Sequence, residues 1–192
     1  EIYSRVDDSV ARVFAFYSYL LRRSRGMAPT PIALQKTGAS VLACGAEMKN
    51  TFCLTKGSEA FVSEHIGDLE NQATLQSFQA AIGQYERLFE IRPELAVCDL
   101  HPEYLSTKYA KNCGLPWVEV QHHHAHIASV LAEHHETEKV IGVAFDGTGY
   151  GDDGHLWGGE FLIADCQNYD RVMHLAYMKL PGGVKAIQEP WR

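Results

Sequence analysis

At 192 residues, with 46% hydrophobic and 21% charged side chains, the chain has the make-up of a folded globular protein with one sizeable core or two small ones. A formal charge of −7, with no block of Lys or Arg, argues against a nucleic-acid surface. No apolar run approaches the ~18 residues that a membrane-spanning helix needs.

In chain order, Val10 to Tyr19 is apolar and aromatic and reads as a strand pair or as a strand and turn. The segment from Leu21 to Pro31 packs Arg22, Arg23 and Arg25 ahead of a Gly/Pro break, as a boundary or binding loop does. Ser40 to Cys44 and Thr51 to Thr55 form two short apolar runs, joined by a polar tip over Gly45 to Asn50 that suggests a hairpin. Asn71 to Phe89 carries helical spacing, with Leu75, Phe78, Ile82, Tyr85 and Leu88/Phe89 on one face and Pro93 to end it. Leu95 to Cys98 is a buried-type strand, Ser106 to Cys113 a short helix closed by Gly114, and Leu115 to Val120 another strand. Ile127 to Glu133 is helical, Val140 to Phe145 is the clearest strand, and Trp157 to Ile163 is its return. Alternating strands and helices imply an α/β layer architecture.

Two segments carry chemistry. In Gln121-His122-His123-His124-Ala125-His126, four of the chain's 10 histidines crowd into five positions where a strand feeds a helix. Imidazoles bring polar nitrogens that a core must satisfy, and they are the commonest metal ligands. If the helix has begun by His122, then His122 and His126 lie one turn apart on one face and can share a metal ion. His123 and His124 point elsewhere and remain for a ligand, a supporting or a proton-transfer role. The second segment follows Phe145, where Asp146 is succeeded by Gly147, Thr148, Gly149, Tyr150 and Gly151. As a turn, these alternate glycines would let backbone amides approach a phosphate, and Asp146 could complete a two-histidine, one-carboxylate set for iron or zinc. The opposing reading is a glycine-rich hairpin whose Asp only forms the turn. The five cysteines are widely spaced without a CxxC pair, as expected of reduced thiols in a cytoplasmic protein. The start at Glu1 is no signal peptide, and both ends, Glu1-Ile2-Tyr3 and Gln188-Glu189-Pro190-Trp191-Arg192, give the expectation of a piece cut from a longer polypeptide.

The combination of Glu47-Met48-Lys49-Asn50-Thr51-Phe52-Cys53-Leu54, His65-Ile66-Gly67-Asp68-Leu69-Glu70, Cys98-Asp99-Leu100-His101-Pro102-Glu103-Tyr104, the His run and Phe145-Asp146-Gly147-Thr148-Gly149-Tyr150-Gly151 resembles the HypF family, the carbamoyltransferases of NiFe-hydrogenase maturation. The resemblance spans almost the whole chain in the family's order. It implies a TsaD-like domain of the actin/Hsp70/sugar-kinase fold over 36–192, incomplete, preceded over 1–35 by the end of a YrdC-like domain. It implies ATP and carbamoyl phosphate as substrates, carbamoyl-adenylate as the intermediate, and the C-terminal cysteine of a HypE-type protein as acceptor, with no nucleic acid or membrane partner. Its site residues fall on His122, His126 and Asp146 for a divalent metal and on Gly147, Thr148, Gly149 and Gly151 for nucleotide phosphates. Lys49 and Asn50 fall on a phosphate-facing hairpin tip, and Arg23 and Arg25 near the YrdC-side ligand. His123 or His124 would take the proton of the incoming thiol. The resemblance leaves the acylphosphatase-like and zinc-finger-like parts of the family and most of its YrdC-like domain outside this stretch, which is expected to stop before the second lobe is complete, so the chain alone is expected not to turn over. Two rival functions stand beside this one, an O-carbamoyltransferase acting on a small molecule and a non-catalytic metal-binding module.

Overall fold

The computed structural model describes residues 5–179 together with 181, 182, 185, 186 and 189, so all of the closing segment 188–192 except Glu189 lies outside the described residues. The chain divides into two compact units, Glu1–Val120 and Gln121–Arg192.

The first unit opens with an antiparallel hairpin of β1 (Val10–Phe14) and β2 (Tyr17–Arg22), which leaves Phe14, Phe16, Tyr17 and Tyr19 exposed. Its main sheet is built from β3 (Ile32–Gly38), β4 (Val41–Ala43), β5 (Cys53–Val62), β6 (Leu95–Asp99) and β7 (Trp117–Val120), in the order β3-β5-β4-β6-β7. β4, β6 and β7 run parallel, while β5 pairs antiparallel with both β4 and β3. Parallel neighbours need crossovers, supplied by α1 (Gln72–Phe89) before β6 and α2 (Leu105–Asn112) before β7.

The hairpin expected around Gly45–Asn50 is present, with Leu42 opposite Leu54. Its second strand runs on to Val62, and β3, which sequence pattern did not reveal, covers its far edge. The polar run Thr55-Lys56-Gly57-Ser58-Glu59 disguised that extension, because those positions are mostly exposed. α1 begins at an Asn71 cap whose side chain accepts the Thr74 amide, and it buries Phe78, Ile82 and Tyr85 as its periodicity predicts. Leu88 has rotated off that face and is 60% exposed. The helix stops before Pro93, at Glu90, which turns left-handed with its amide returned to Glu86. Phe52 stands edge-on to both Phe78 and Tyr85 at the centre of this core, with Leu42, Leu54 and Leu69 fully buried around it.

In the second unit, α3 (His122–Glu133) packs against an antiparallel meander of β8 (Val140–Tyr150), β9 (Leu156–Ala164) and β10 (Tyr169–His174), ordered β10-β9-β8. Ile127 and Leu131 of α3 meet Ala144, Leu162 and Ala164 in a small core. β8 does not end at Phe145 as its apolar run suggests. It continues through Asp146, Gly147, Thr148 and Gly149 to Tyr150, so the connection to β9 shrinks to 151–155. Among the described residues, no helix is long and apolar enough to cross a membrane. All five cysteines are free, and Cys44 and Cys98 are buried as small apolar groups.

Replacing Phe78 by Ala removes the ring held between Phe52 and Tyr109 and should lower the unfolding free energy by about 3–5 kcal/mol, read as a shifted urea midpoint.

Candidate metal centre

Gln121 sets where α3 starts. Its backbone is extended, and its side-chain oxygen accepts the amide of His124 at 2.9 Å, which caps the helix. The amide nitrogen of the same side chain donates to the carbonyl of Tyr150 at 3.3 Å and reaches Nδ1 of His123 at 3.2 Å, tying the helix end to β8. With the helix beginning at His122, His122 and His126 stack over one turn as the spacing predicted. Their ring centroids are 4.7 Å apart and their Nε2 atoms 3.1 Å apart.

The carboxylate reaches this pair through a break in β8. Phe145 pairs with Gly159 and Gly149 with Trp157, so Asp146, Gly147 and Thr148 face Gly158 alone. Such breaks re-aim side chains. Gly147 donates its amide to Oδ1 of Asp146 at 2.6 Å, which turns Oδ2 toward the helix. Oδ2 then lies 2.8 Å from Nε2 of His122 and 3.5 Å from Nε2 of His126. Among the described residues these three form the one group whose ligand atoms lie within 4.8 Å of one another.

The donor set fits a divalent metal. Ligands about 2.1 Å from one ion stand about 2.9–3.4 Å apart in octahedral or tetrahedral array, close to the spacings found here. Oδ2 of Asp146 is moreover buried without a hydrogen-bond partner despite its near neighbour, an arrangement that a shared cation resolves.

The other two histidines of the run are structural. His123 is fully buried against Trp157, with ring centroids 5.9 Å apart. Burial, reinforced by His122, holds its imidazole below the usual range, and Nε2 has no partner. His124 gives Nε2 to the carbonyl of Asp165 at 2.8 Å. Neither position lends support to the expectation that one of them takes a thiol's proton: His123 is buried against Trp157, and His124 is bonded to the turn between β9 and β10. Gly149 makes room for His123, because a Cβ there would lie 2.5 Å from its Cε1.

The turn expected over Gly147–Gly151 is strand instead, with β8 running on to Tyr150. Gly147, Gly149 and Gly151 all lie outside the left-handed region, and only Gly154 in this connection has a positive φ, +76°. Gly147 and Thr148 do line a cavity of about 520 Å³ with Asp146, Trp157, Glu160 and Tyr177.

Lys49, Asn50, Arg23 and Arg25 lie in the first unit. Asn50 is buried and its amide group bonds the carbonyls of Cys44 and Ala46 at 2.9 and 2.5 Å, which holds the hairpin tip, while its Oδ1 has no partner. The guanidinium of Arg23 donates to the carbonyls of Val62, Met27 and Thr30, and Arg25 pairs with Asp8 at 3.4 Å. Lys49 stays at the tip with φ +48°, its amide donated to Asp68 at 2.7 Å. It lines a cationic cavity of about 300 Å³ with Arg22, Arg23, Thr51 and His65. His65 is itself bonded at 2.9 Å to Asp7, whose carboxyl that bond holds below the usual range.

Sequence reasoning missed a polar cluster on β9 and β10. Glu160 is 2% exposed, and Arg171 donates to it from Nε at 2.6 Å. Arg171 also lies 4.0 Å over the Trp157 ring and bonds Asp153 and Tyr177. Burial alone would raise the Glu160 carboxyl, but Arg171 and the amides of Gly158 and Gly159 outweigh it and hold it below the usual range. The signal was available in the alternation Glu160, Leu162, Ala164, which places a carboxylate on the inward face.

The parallel-centred sheet, the helix-borne histidine pair and the carboxylate beside it define an α/β protein of the Kae1-like class. Residues 36–133 match the HypF Kae1-like domain, and 142–192 match the second subdomain of the carbamoyltransferase Kae1-like domain. The chain is 51% identical to carbamoyltransferase HypF2 of Cupriavidus necator and 47% identical to carbamoyltransferase HypF of Synechocystis, over 100% and 97% of its length. A crystal structure of full-length HypF in its phosphate- and nucleotide-bound form superposes with a TM-score of 0.92 at 52% identity, over 95% of this chain and 24% of that one. The chain belongs to the HypF family. It spans about a quarter of the length of these relatives, 25% in both curated proteins.

Gly149→Ala should force the His123 ring out of place and lower stability by about 1–3 kcal/mol in thermal unfolding. The lowered Glu160 carboxyl contributes stability that is present above its ordinary value of 4.5 and lost as pH falls through its folded value. Urea midpoints measured from pH 6 down to about pH 3 should accordingly drop, and Glu160→Gln should flatten that drop.

Proposed function

We propose that this chain forms the metal-holding part of a carbamoyltransferase that passes a carbamoyl group from carbamoyl-adenylate to the C-terminal cysteine of a HypE-type acceptor, giving the precursor of a hydrogenase cyanide ligand. The observation that carries the reading is the convergence of His122, His126 and Asp146 beside an open cavity, in a chain of the HypF family. His122, His126 and Asp146 would hold iron or zinc, which as a Lewis acid polarises a carbonyl or steadies phosphate charge.

The chain's own residues prepare that site. Gly147 fixes one carboxylate oxygen of Asp146 so that the other is presented to the histidines. Gly147 and Thr148 border the cavity in which the adenylate's mixed anhydride would lie. Lys49, Arg22 and His65, in the cationic cavity of the first unit, would hold phosphate oxygens of ATP. In the transfer itself the C–S bond forms, the C–O bond to phosphate breaks, AMP leaves and the thiol proton is released. Residues 1–35 are assigned to the end of a YrdC-like domain that makes the adenylate from ATP and carbamoyl phosphate. The chain by itself then does not turn over. The free thiols agree with a cytoplasmic setting.

The test uses a complete HypF polypeptide carrying this chain. His122→Ala, His126→Ala and Asp146→Ala should each reduce bound metal and lower carbamoylation of a cysteine-terminated acceptor on the order of a hundredfold, followed by mass spectrometry of the acceptor. Unchanged metal content and transfer in the double histidine variant would overturn the reading, and carbamoylation of a small-molecule hydroxyl in place of the thiol would overturn the acceptor.

A further inference from the structure

We propose that the Glu160–Arg171 pair sets the position of Asp146, which makes Glu160 a positioning residue for the metal centre; this rests on the three-ligand reading above. The path is short and built from backbone. Asp146, Gly147 and Thr148 leave the β8 ladder opposite Gly158. Gly158 approaches that break so closely that a Cβ on it would lie 3.0 Å from the carbonyl oxygen of Asp146 and 3.3 Å from that of Gly147. The position of Gly158 therefore limits where Asp146 can go.

Glu160 holds Gly158. One carboxylate oxygen accepts the amides of Gly158 and Gly159 at 3.1 and 3.3 Å, and the other accepts Nε of Arg171 at 2.6 Å. Arg171 is in turn immobilised on three sides, 4.0 Å over the Trp157 ring, 3.0 Å from Asp153 and 2.8 Å from the hydroxyl of Tyr177. A planar guanidinium fixed this way orients the carboxylate it binds. A pair serving only to join β9 and β10 would not need to engage the amide of Gly158, which faces the break, or that of Gly159, the last residue paired before it. Groups that support a ligand without touching the metal commonly tune affinity tenfold to a hundredfold.

The experiment measures Co²⁺ and Zn²⁺ affinity by calorimetry and the exchange rate of the Gly147 amide, whose acceptor is Asp146 itself, in the 192-residue chain. Glu160→Gln keeps an oxygen for the glycine amides but loses the charge that holds Arg171. It should bind metal about 10- to 100-fold more weakly and exchange Gly147 faster. Arg171→Lys, which keeps a cation but not the stacked fork, should do the same and serves if Glu160→Gln does not fold. Tyr169→Phe, which removes a 2.6 Å bond to Asp152 on the same sheet, should leave both readouts within about twofold of the parent. Parental affinity in Glu160→Gln, with His122→Ala still abolishing binding, would overturn the positioning role and spare the metal site. If His122→Ala leaves affinity unchanged, the metal reading fails, and the Gly147 amide decides alone: faster exchange in Glu160→Gln supports the positioning role, parental exchange overturns it.

Discussion

The second unit depends on one interruption of hydrogen-bonded pairing, the three residues Asp146, Gly147 and Thr148 set against Gly158. Before it, the buried positions of β8 are Gly142 and Ala144; after it the buried position is Gly149, with Gly151 buried just past the strand's end. A regular strand cannot bury Ala144 and Gly149 alike, since they differ in parity. The interruption changes the phase. That change lets Ala144 pack in the core under Ile127 and Leu131 while Gly149 receives the ring of His123. Asp146 falls in the stretch where β8 leaves the pleat, beside the first turn of α3.

The polar interior of this unit follows from the same geometry. A fully buried imidazole and a buried carboxylate are expensive unless their partners are fixed. Gln121 meets the first need and Arg171 the second, and Asp153 gathers Trp157, Tyr177 and Arg171 around itself. Desolvation works against both Glu160 and Asp153, yet donors hold both carboxyls below their usual range, so each is a charged acceptor inside its network.

Much of this was legible in the residues. The His122/His126 pair could be read because helical spacing is local and needs only the right start, which Gln121 supplies. The buried face of α1, apart from Leu88, followed from period, and β6 and β7 from their apolar and β-branched residues, though not their parallel pairing. The course of β8 was not legible. Alternate glycines look like a turn, and only the close approach of α3 to Gly149 and of Trp157 to Gly151 explains why side chains are lacking at those two positions. Asn50 and Arg23 also make bonds within the chain that their residue types did not reveal. Polar and cationic side chains near a glycine-rich tip suggest a ligand, whereas here they satisfy carbonyls that the chain itself leaves open. Glu160 and Arg171 belong to different strands, and no spacing within one segment announces a partnership across two.

The phase change in β8 has a consequence for how the protein tolerates alteration. Chemistry at Gly147 and Thr148 is permissive in one respect, since a Cβ at Gly147 meets nothing nearby. Length is not. The count of residues from Ala144 to Gly149 is what carries one strand from one face to the other. Removing or adding a single residue there would turn the distal half of β8 over and swing the carboxylate away from the imidazoles, even with every ligand still in the chain. The segment thus works as a spacer measured in residues, more sensitive to its number than to its letters.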